Sequence, residues 1–187
     1  MLRHLKNPPL VATYGIGFGV LFNFIAVSTY VSFHLAAPPY LFSSTLLGLI
    51  FVTYLAGTLI APITGWLMAR IGRRRFILAV LAAWAGGALL MLLAPISAII
   101  AGLTFCAGCG MLCQTIATGY VAEIAKEGRS SAVGLYATSF YAGGSMGALL
   151  PGLAWDWGGW PAAIAMVLAT LGAMALIATL AYRGVTP

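Results

Sequence analysis

This chain is constrained above all by a series of apolar runs, each close to bilayer-crossing length and joined by short connections. They cover about 10–35, 43–69, 76–94, 97–122, 131–154 and 161–182. A membrane-spanning helix needs roughly 20 mostly apolar residues. These runs are continuous rather than alternating, which points to helices and away from a β-barrel. Composition leaves no soluble alternative: 62% of residues are hydrophobic and 6% charged, where a soluble domain carries roughly 25% charged residues. The first run is too long for a signal-peptide core and lacks an early cleavage pattern, so it reads as a span entering from the cytoplasm.

Prolines and aromatics punctuate the runs. Pro38 and Pro39 cannot continue a helix, and Pro95 breaks the third run from the fourth. Pro62 predicts a kink near the end of the second run, and Pro151 lies close to the exit of the fifth. Trp155, Trp157 and Trp160 mark an aromatic turn of the kind found where membrane meets water. Six spans place all of Arg3, Lys6, Arg70, Arg73, Arg74, Arg75, Lys126, Arg129 and Arg183 on one side. The opposite connections hold only Asp156, with His34 near a span end. Lys and Arg gather in cytoplasmic connections, so both termini are expected in the cytoplasm. That topology also accounts for the net charge of +6 better than a nucleic-acid surface does.

The connection Gly65–Arg75 concentrates this charge. Gly65 and Gly72 are expected to let neighbouring helices or backbone approach closely. Arg70, Arg73 and Arg74 are able to bridge carboxylates or helix C-terminal carbonyls on a neighbouring element and hold the cytoplasmic side closed. Glu123 and Glu127 are the cytoplasmic carboxylates available to them. The same residues also read as a basic turn that fixes topology and nothing more.

This stretch resembles the signature connection of the major facilitator superfamily of secondary transporters, which reads roughly G-x-L-a-D-R-x-G-R-[KR]-x. Gly65, Leu67, Arg70, Gly72, Arg73 and Arg74 match it, and Ala69 stands where the family usually has Asp. Glu123, Arg129, Ala132, Gly134 and Leu135 look like the family's loop between the fourth and fifth spans of a half. Trp155–Pro161 is similar to the second halves of bacterial efflux-type members, the YnfM-like group among them. The resemblance covers nearly the whole chain. It implies spans seven to twelve of a carrier built from two six-span repeats, and a gating role for Gly65, Arg70, Gly72, Arg73, Arg74, Glu123 and Arg129.

Polar groups inside spans are costly in lipid and usually face the bundle interior. The first run offers Asn23, Tyr30 and His34, seven and four apart and so near one helical stripe. The fourth offers Gln114 and Thr118, again four apart. The residues alone leave two readings, interhelical hydrogen bonding or a solute path. The resemblance implies that the first and fourth spans line the central cavity, placing Asn23, Tyr30, Gln114 and Thr118 against the solute. No span carries a mid-membrane Asp, Glu, Lys or Arg, and His34 is too near the outer end to replace one. A coupling residue therefore belongs to another half, or this chain does not couple.

Other motifs carry less. Cys106, Cys109 and Cys113 share one helical face; packing beside glycines accounts for them better than a soft-metal site. Gly15, Gly17 and Gly19 echo a dinucleotide fingerprint but lie inside a span with no strand before them. Together with Gly143–Gly147 they read as close helix packing through small residues. No Ser, His and carboxylate share one depth, so an intramembrane hydrolase ranks last. The expectation is an all-α membrane protein, residues 1–187 forming one six-helix bundle, half of the twelve-helix fold. It would move a small solute outward across a bacterial inner membrane by alternating access, without cofactor or metal. Its partners would be the solute, the lipid bilayer and a complementary six-helix half or second copy, since one bundle alone has nothing to rock against. A non-transporting remnant or a membrane assembly or interaction protein is the alternative.

Overall fold

The computed structural model describes residues 7–125 and 128–182, apart from the side chains at 56 and 61. Arg3, Lys6, Lys126, Glu127 and Arg183 lie outside the described residues, and with them part of the charge pattern. What is described is helical. α1 runs Pro8–Ala36, and its two leading prolines suit a first turn whose N–H groups need no partner. α2 is Ser44–Ile50, opened by Ser43, whose hydroxyl accepts from the Leu46 N–H. α3 is Tyr54–Ile60 and α4 is Thr64–Ile71. Tighter 3₁₀ turns at Phe51–Thr53 and Ala61–Ile63 separate these three, the second around Pro62. The axis bends by 56° between Ser44–Ile60 and Thr64–Ile71. α5 is Arg73–Leu90, α6 is Ile96–Ile124 and α7 is Arg129–Ala181.

α1, α6 and α7 are each long and apolar enough to cross a membrane, with mean hydropathies of 1.9, 2.0 and 2.3. The bent Ser44–Ile71 segment joins them if it counts as one span. α7 is interrupted at Gly159, whose φ of 61° and ψ of −147° are not helical. Residues with a Cβ avoid that region. Contacts with α1 show that the chain doubles back there. Tyr14, Phe18 and Phe22 meet Ser139, Gly143 and Gly147 in ascending order, whereas Thr13, Gly19 and His34 meet Tyr182, Met174 and Trp160 in descending order. α1 is therefore wedged between two antiparallel arms of α7.

Small residues set how close these helices come. A Cβ on Gly143 would stand 2.0 Å from the Phe18 carbonyl oxygen, and one on Gly147 would stand 2.3 Å from that of Phe22. α5 and α6 meet in the same way, with Gly87 and Gly102 facing each other's backbone. Trp84, wholly buried, fills the space between α5 and α6 against Gly110. Gly17 seats the Tyr136 ring and Gly19 the Met174 side chain, so the glycine-rich first run is a packing device, as expected.

Several boundaries fall elsewhere than the sequence predicts. Arg73–Arg75 are the first turn of α5, not a connection, because Gly72 alone makes the turn and arginine is a good helix former. Among the described residues Gly65 and Gly72 are not points of close approach: a Cβ on either would meet none of them within 4 Å. Gly72 is required instead by its φ of 81°. α5 stops at Leu90 rather than near Ala94, and aromatic donors take up carbonyls freed beyond its end. The Trp160 indole donates to Met91 at 2.8 Å, and the Tyr40 hydroxyl to Ala94 at 2.6 Å. The aromatic stretch from Trp155 continues as helix up to Gly159, since nothing before that glycine disfavours it.

Candidate functional site

At the basic end, Arg73 of α5 meets two residues of α6, and a chain of contacts runs on through Tyr182 to Thr13. The Arg73 guanidinium donates to Glu123 on α6 at 2.5 Å and lies 4.3 Å over the Tyr120 ring. Tyr120 meets Tyr182 edge to face at 5.0 Å. The Thr13 hydroxyl donates to the Pro9 carbonyl at 2.8 Å, leaving Tyr182 as donor in its 3.2 Å bond to Thr13. The Arg73 side chain is 12% exposed and that of Glu123 59%. An ion pair this open to solvent is worth at most about 1 kcal/mol, and the ring beneath adds ~0.5–1 kcal/mol. Its interest lies in connection: the chain of contacts links α5 and α6 to the start of α1 and the end of α7. Arg70 lies over Trp66, one turn away on α4, at 5.2 Å. Arg129 opens α7 after the left-handed Gly128 and is exposed. The Nε of Arg74 is buried with no partner among the described residues.

The polar residues inside the helices do not gather into one pocket. Asn23 is wholly buried; its amide donates to the Met174 sulfur at 3.5 Å, and its Oδ1 has no partner among the described residues. Tyr30, on the same stripe of α1, donates to the Ala148 carbonyl at 2.7 Å. It lines a separate cavity near the other end of the bundle. Gln114 and Thr118 do lie together. The Thr118 hydroxyl donates to the Gln114 carbonyl at 2.8 Å, and Gln114 Oε1 accepts from Tyr136 at 2.7 Å. Thr118 is exposed and Gln114 half-buried, so this pair is presented on the flank of α6 while Asn23 is closed off within the bundle.

Sequence reasoning missed two features. Tyr54, beside the first 3₁₀ turn, hydrogen-bonds Ser28 on α1; since Ser28 donates to the Phe24 carbonyl at 2.6 Å, Tyr54 is the donor. His34 stacks on Trp160 at 5.0 Å with the rings 8° from parallel, and Tyr40 meets its edge at 5.2 Å. The Ser28–Tyr54 and His34–Trp160 contacts each join residues more than twenty positions apart, and no local pattern announces either. Cys106, Cys109 and Cys113 are buried along α6, and the Cys106 thiol points at the Trp84 carbonyl, 3.9 Å away.

Apolar helices, a glycine turn leading into a basic helix start and an Arg–Glu tie at one end agree with what sequence comparison finds. The family model described as Major Facilitator Superfamily matches residues 9–187. An uncharacterized transporter of Buchnera aphidicola subsp. Schizaphis graminum is 29% identical over 157 residues, covering 84% of this chain and 38% of the relative. The inner membrane transport protein YnfM of Escherichia coli is 26% identical over 180 residues, 96% of this chain and 43% of its own. An uncharacterized MFS-type transporter, YybF of Bacillus subtilis, is 23% identical over 167 residues, 89% of this chain and 41% of its own. The chain thus spans about two-fifths the length of these curated relatives. With the family model matching all but its first residues, this chain belongs to the major facilitator superfamily.

Proposed function

We propose that this chain acts as one six-span half of a secondary transporter that exports a small solute across a bacterial inner membrane by alternating access. The match to the family over residues 9–187 carries the reading. The six spans are α1, the broken Ser44–Ile71 segment, α5, α6 and the two arms of α7 on either side of Gly159, with both termini in the cytoplasm. The complement is a second six-helix half or another copy of the chain, against which the bundle rocks around a midplane cavity. Gly65 is exposed with open space around it, which supports a partner surface there.

In this reading Gln114 and Thr118 border the solute path, with Tyr30 towards its outer end and Asn23 buried behind it. Arg73 and Glu123 close the cytoplasmic side in one state, with Gly65, Arg70, Gly72, Arg74 and Arg129 shaping the same end. The Arg73–Glu123 pair supports a switch, because moving α5 and α6 apart at that end must break it. The test is efflux of a panel of labelled amino acids, sugars and organic cations from cells making the native product. Solute-dependent efflux is expected, reduced several-fold by Gln114→Ala or Arg73→Ala at equal membrane levels. No difference from cells lacking the protein, for any solute, would refute transport and favour an assembly role.

A further inference from the structure

We propose that the outer end of the groove between α1 and the first arm of α7 binds an organic cation bearing a methylated ammonium group. The site deepens the transport reading, with which it shares Tyr30, but it is tested by equilibrium binding rather than by flux. A cavity of about 520 Å³ opens there, bordered by Tyr30, Phe33, Trp155 and Asp156. Its three rings form a corner. Tyr30 and Trp155 have centroids 5.9 Å apart and planes at 36°, Tyr30 and Phe33 5.8 Å and 60°, and Phe33 and Trp155 6.3 Å and 57°. A cation within about 6 Å of an aromatic face is attracted by the ring quadrupole, and quaternary ammonium recognition uses several such faces at once.

The corner is built rather than incidental. The Tyr30 hydroxyl is committed to the Ala148 carbonyl at 2.7 Å, which fixes the ring. Gly152 makes room for it: a Cβ there would stand 2.7 Å from the Tyr30 oxygen. Phe33 remains 55% exposed beside a carboxylate, a poor arrangement for packing and a good one for a cation. Asp156 is exposed and has no ion-pair partner among the described residues. Asp156 is the charged side chain among the residues bordering the cavity, while the Arg73–Glu123 pair lies towards the opposite end of α1. An interfacial aromatic belt accounts for Trp157, which is 93% exposed, but not for three rings converging beside a carboxylate.

A methylated ammonium reaches such a site either as a free solute or as a phosphocholine headgroup. The test is equilibrium binding of radiolabelled choline to the full chain in nanodiscs of phosphatidylglycerol. The uncharged isostere 3,3-dimethylbutan-1-ol serves as competitor. Saturable choline binding is expected, with the isostere at least about fivefold weaker. Trp155→Leu and Asp156→Asn should each weaken choline about three- to thirtyfold. Asp156→Asn changes an exposed side chain, so it stays informative if Trp155→Leu disturbs packing, and circular dichroism checks both. Phosphatidylcholine added to the disc competes if the source is lipid and leaves choline binding unchanged if it is a free solute. Absence of saturable binding, an isostere that competes equally, or two variants with unchanged affinity would each overturn the proposal. Choline binding without efflux of any solute would count against transport and leave this site standing.

Discussion

Gly143→Ala adds one methyl group where α1 and α7 touch backbone to backbone. That Cβ would stand 2.0 Å from the Phe18 carbonyl oxygen, 2.7 Å from its carbonyl carbon and 2.8 Å from its Cα. Ordinary contact begins at 3.4 Å, so the deficit is about 1.4 Å. No flexible side chain can swing away; the helices must part. A gap of 0.5–1 Å already forfeits a quarter to a half of each dispersion contact along the seam. Overpacking of this kind costs ~1–3 kcal/mol, and backbone as the obstacle places it at the upper end. Better helix propensity of alanine returns at most about 1 kcal/mol, leaving a net loss of about 2 kcal/mol. For a chain of this size that corresponds to roughly 4–8 °C in midpoint. The protein carries its own reporter, since Cys106, Cys109 and Cys113 are 3%, 6% and 0% exposed. A maleimide fluorophore added during heating reacts with them only as the bundle opens. Gly172→Ala is the control, because a Cβ there meets nothing within 4 Å, and it should hold or raise the midpoint. A Gly143→Ala protein that becomes reactive at the wild-type temperature would refute the backbone-contact argument.

Two further outcomes follow from the same geometry. Gly72→Ala forces a Cβ into a backbone region at φ 81° and ψ 146° and should cost ~1–3 kcal/mol. Gly65→Ala, in the first turn of α4 and in open space, should be neutral or stabilising; equal effects of the two in the thiol-reactivity melt would show that Gly72 is not held by its conformation. Asn23→Leu replaces a buried amide whose Oδ1 lacks a partner among the described residues with an apolar side chain of similar volume. Removing an unsatisfied polar group is near neutral or stabilising, so the melt should hold or rise. A loss of more than about 2 kcal/mol would mean that the Asn23 amide makes a stronger bond than its contact with Met174 indicates.

Much of the architecture was legible in the sequence because lipid imposes a rule on the chain. Backbone groups in hydrocarbon must be satisfied within their own segment, so long apolar runs become helices whatever they pack against. Proline and glycine set most of the ends for reasons confined to one residue. The signature around Gly65–Arg75 likewise pointed to the family before any contact was visible, whereas charge named Arg70, Arg73 and Arg74 with Glu123 and Glu127 and left open which of them meet. Tertiary structure decided what depends on distance through space. It closed Asn23 inside the bundle while presenting Thr118, although each is simply a polar residue within an apolar run. Helical spacing gives a stripe but not which neighbour covers it. Only folding brought Tyr30, Phe33 and Trp155 into one corner, set Tyr182 beside Thr13, and turned the aromatic stretch at Trp155 into helix as far as Gly159. Local chemistry determines which segments are helices; which side chains meet is settled by how closely the glycines of α1, α5, α6 and α7 let those helices approach.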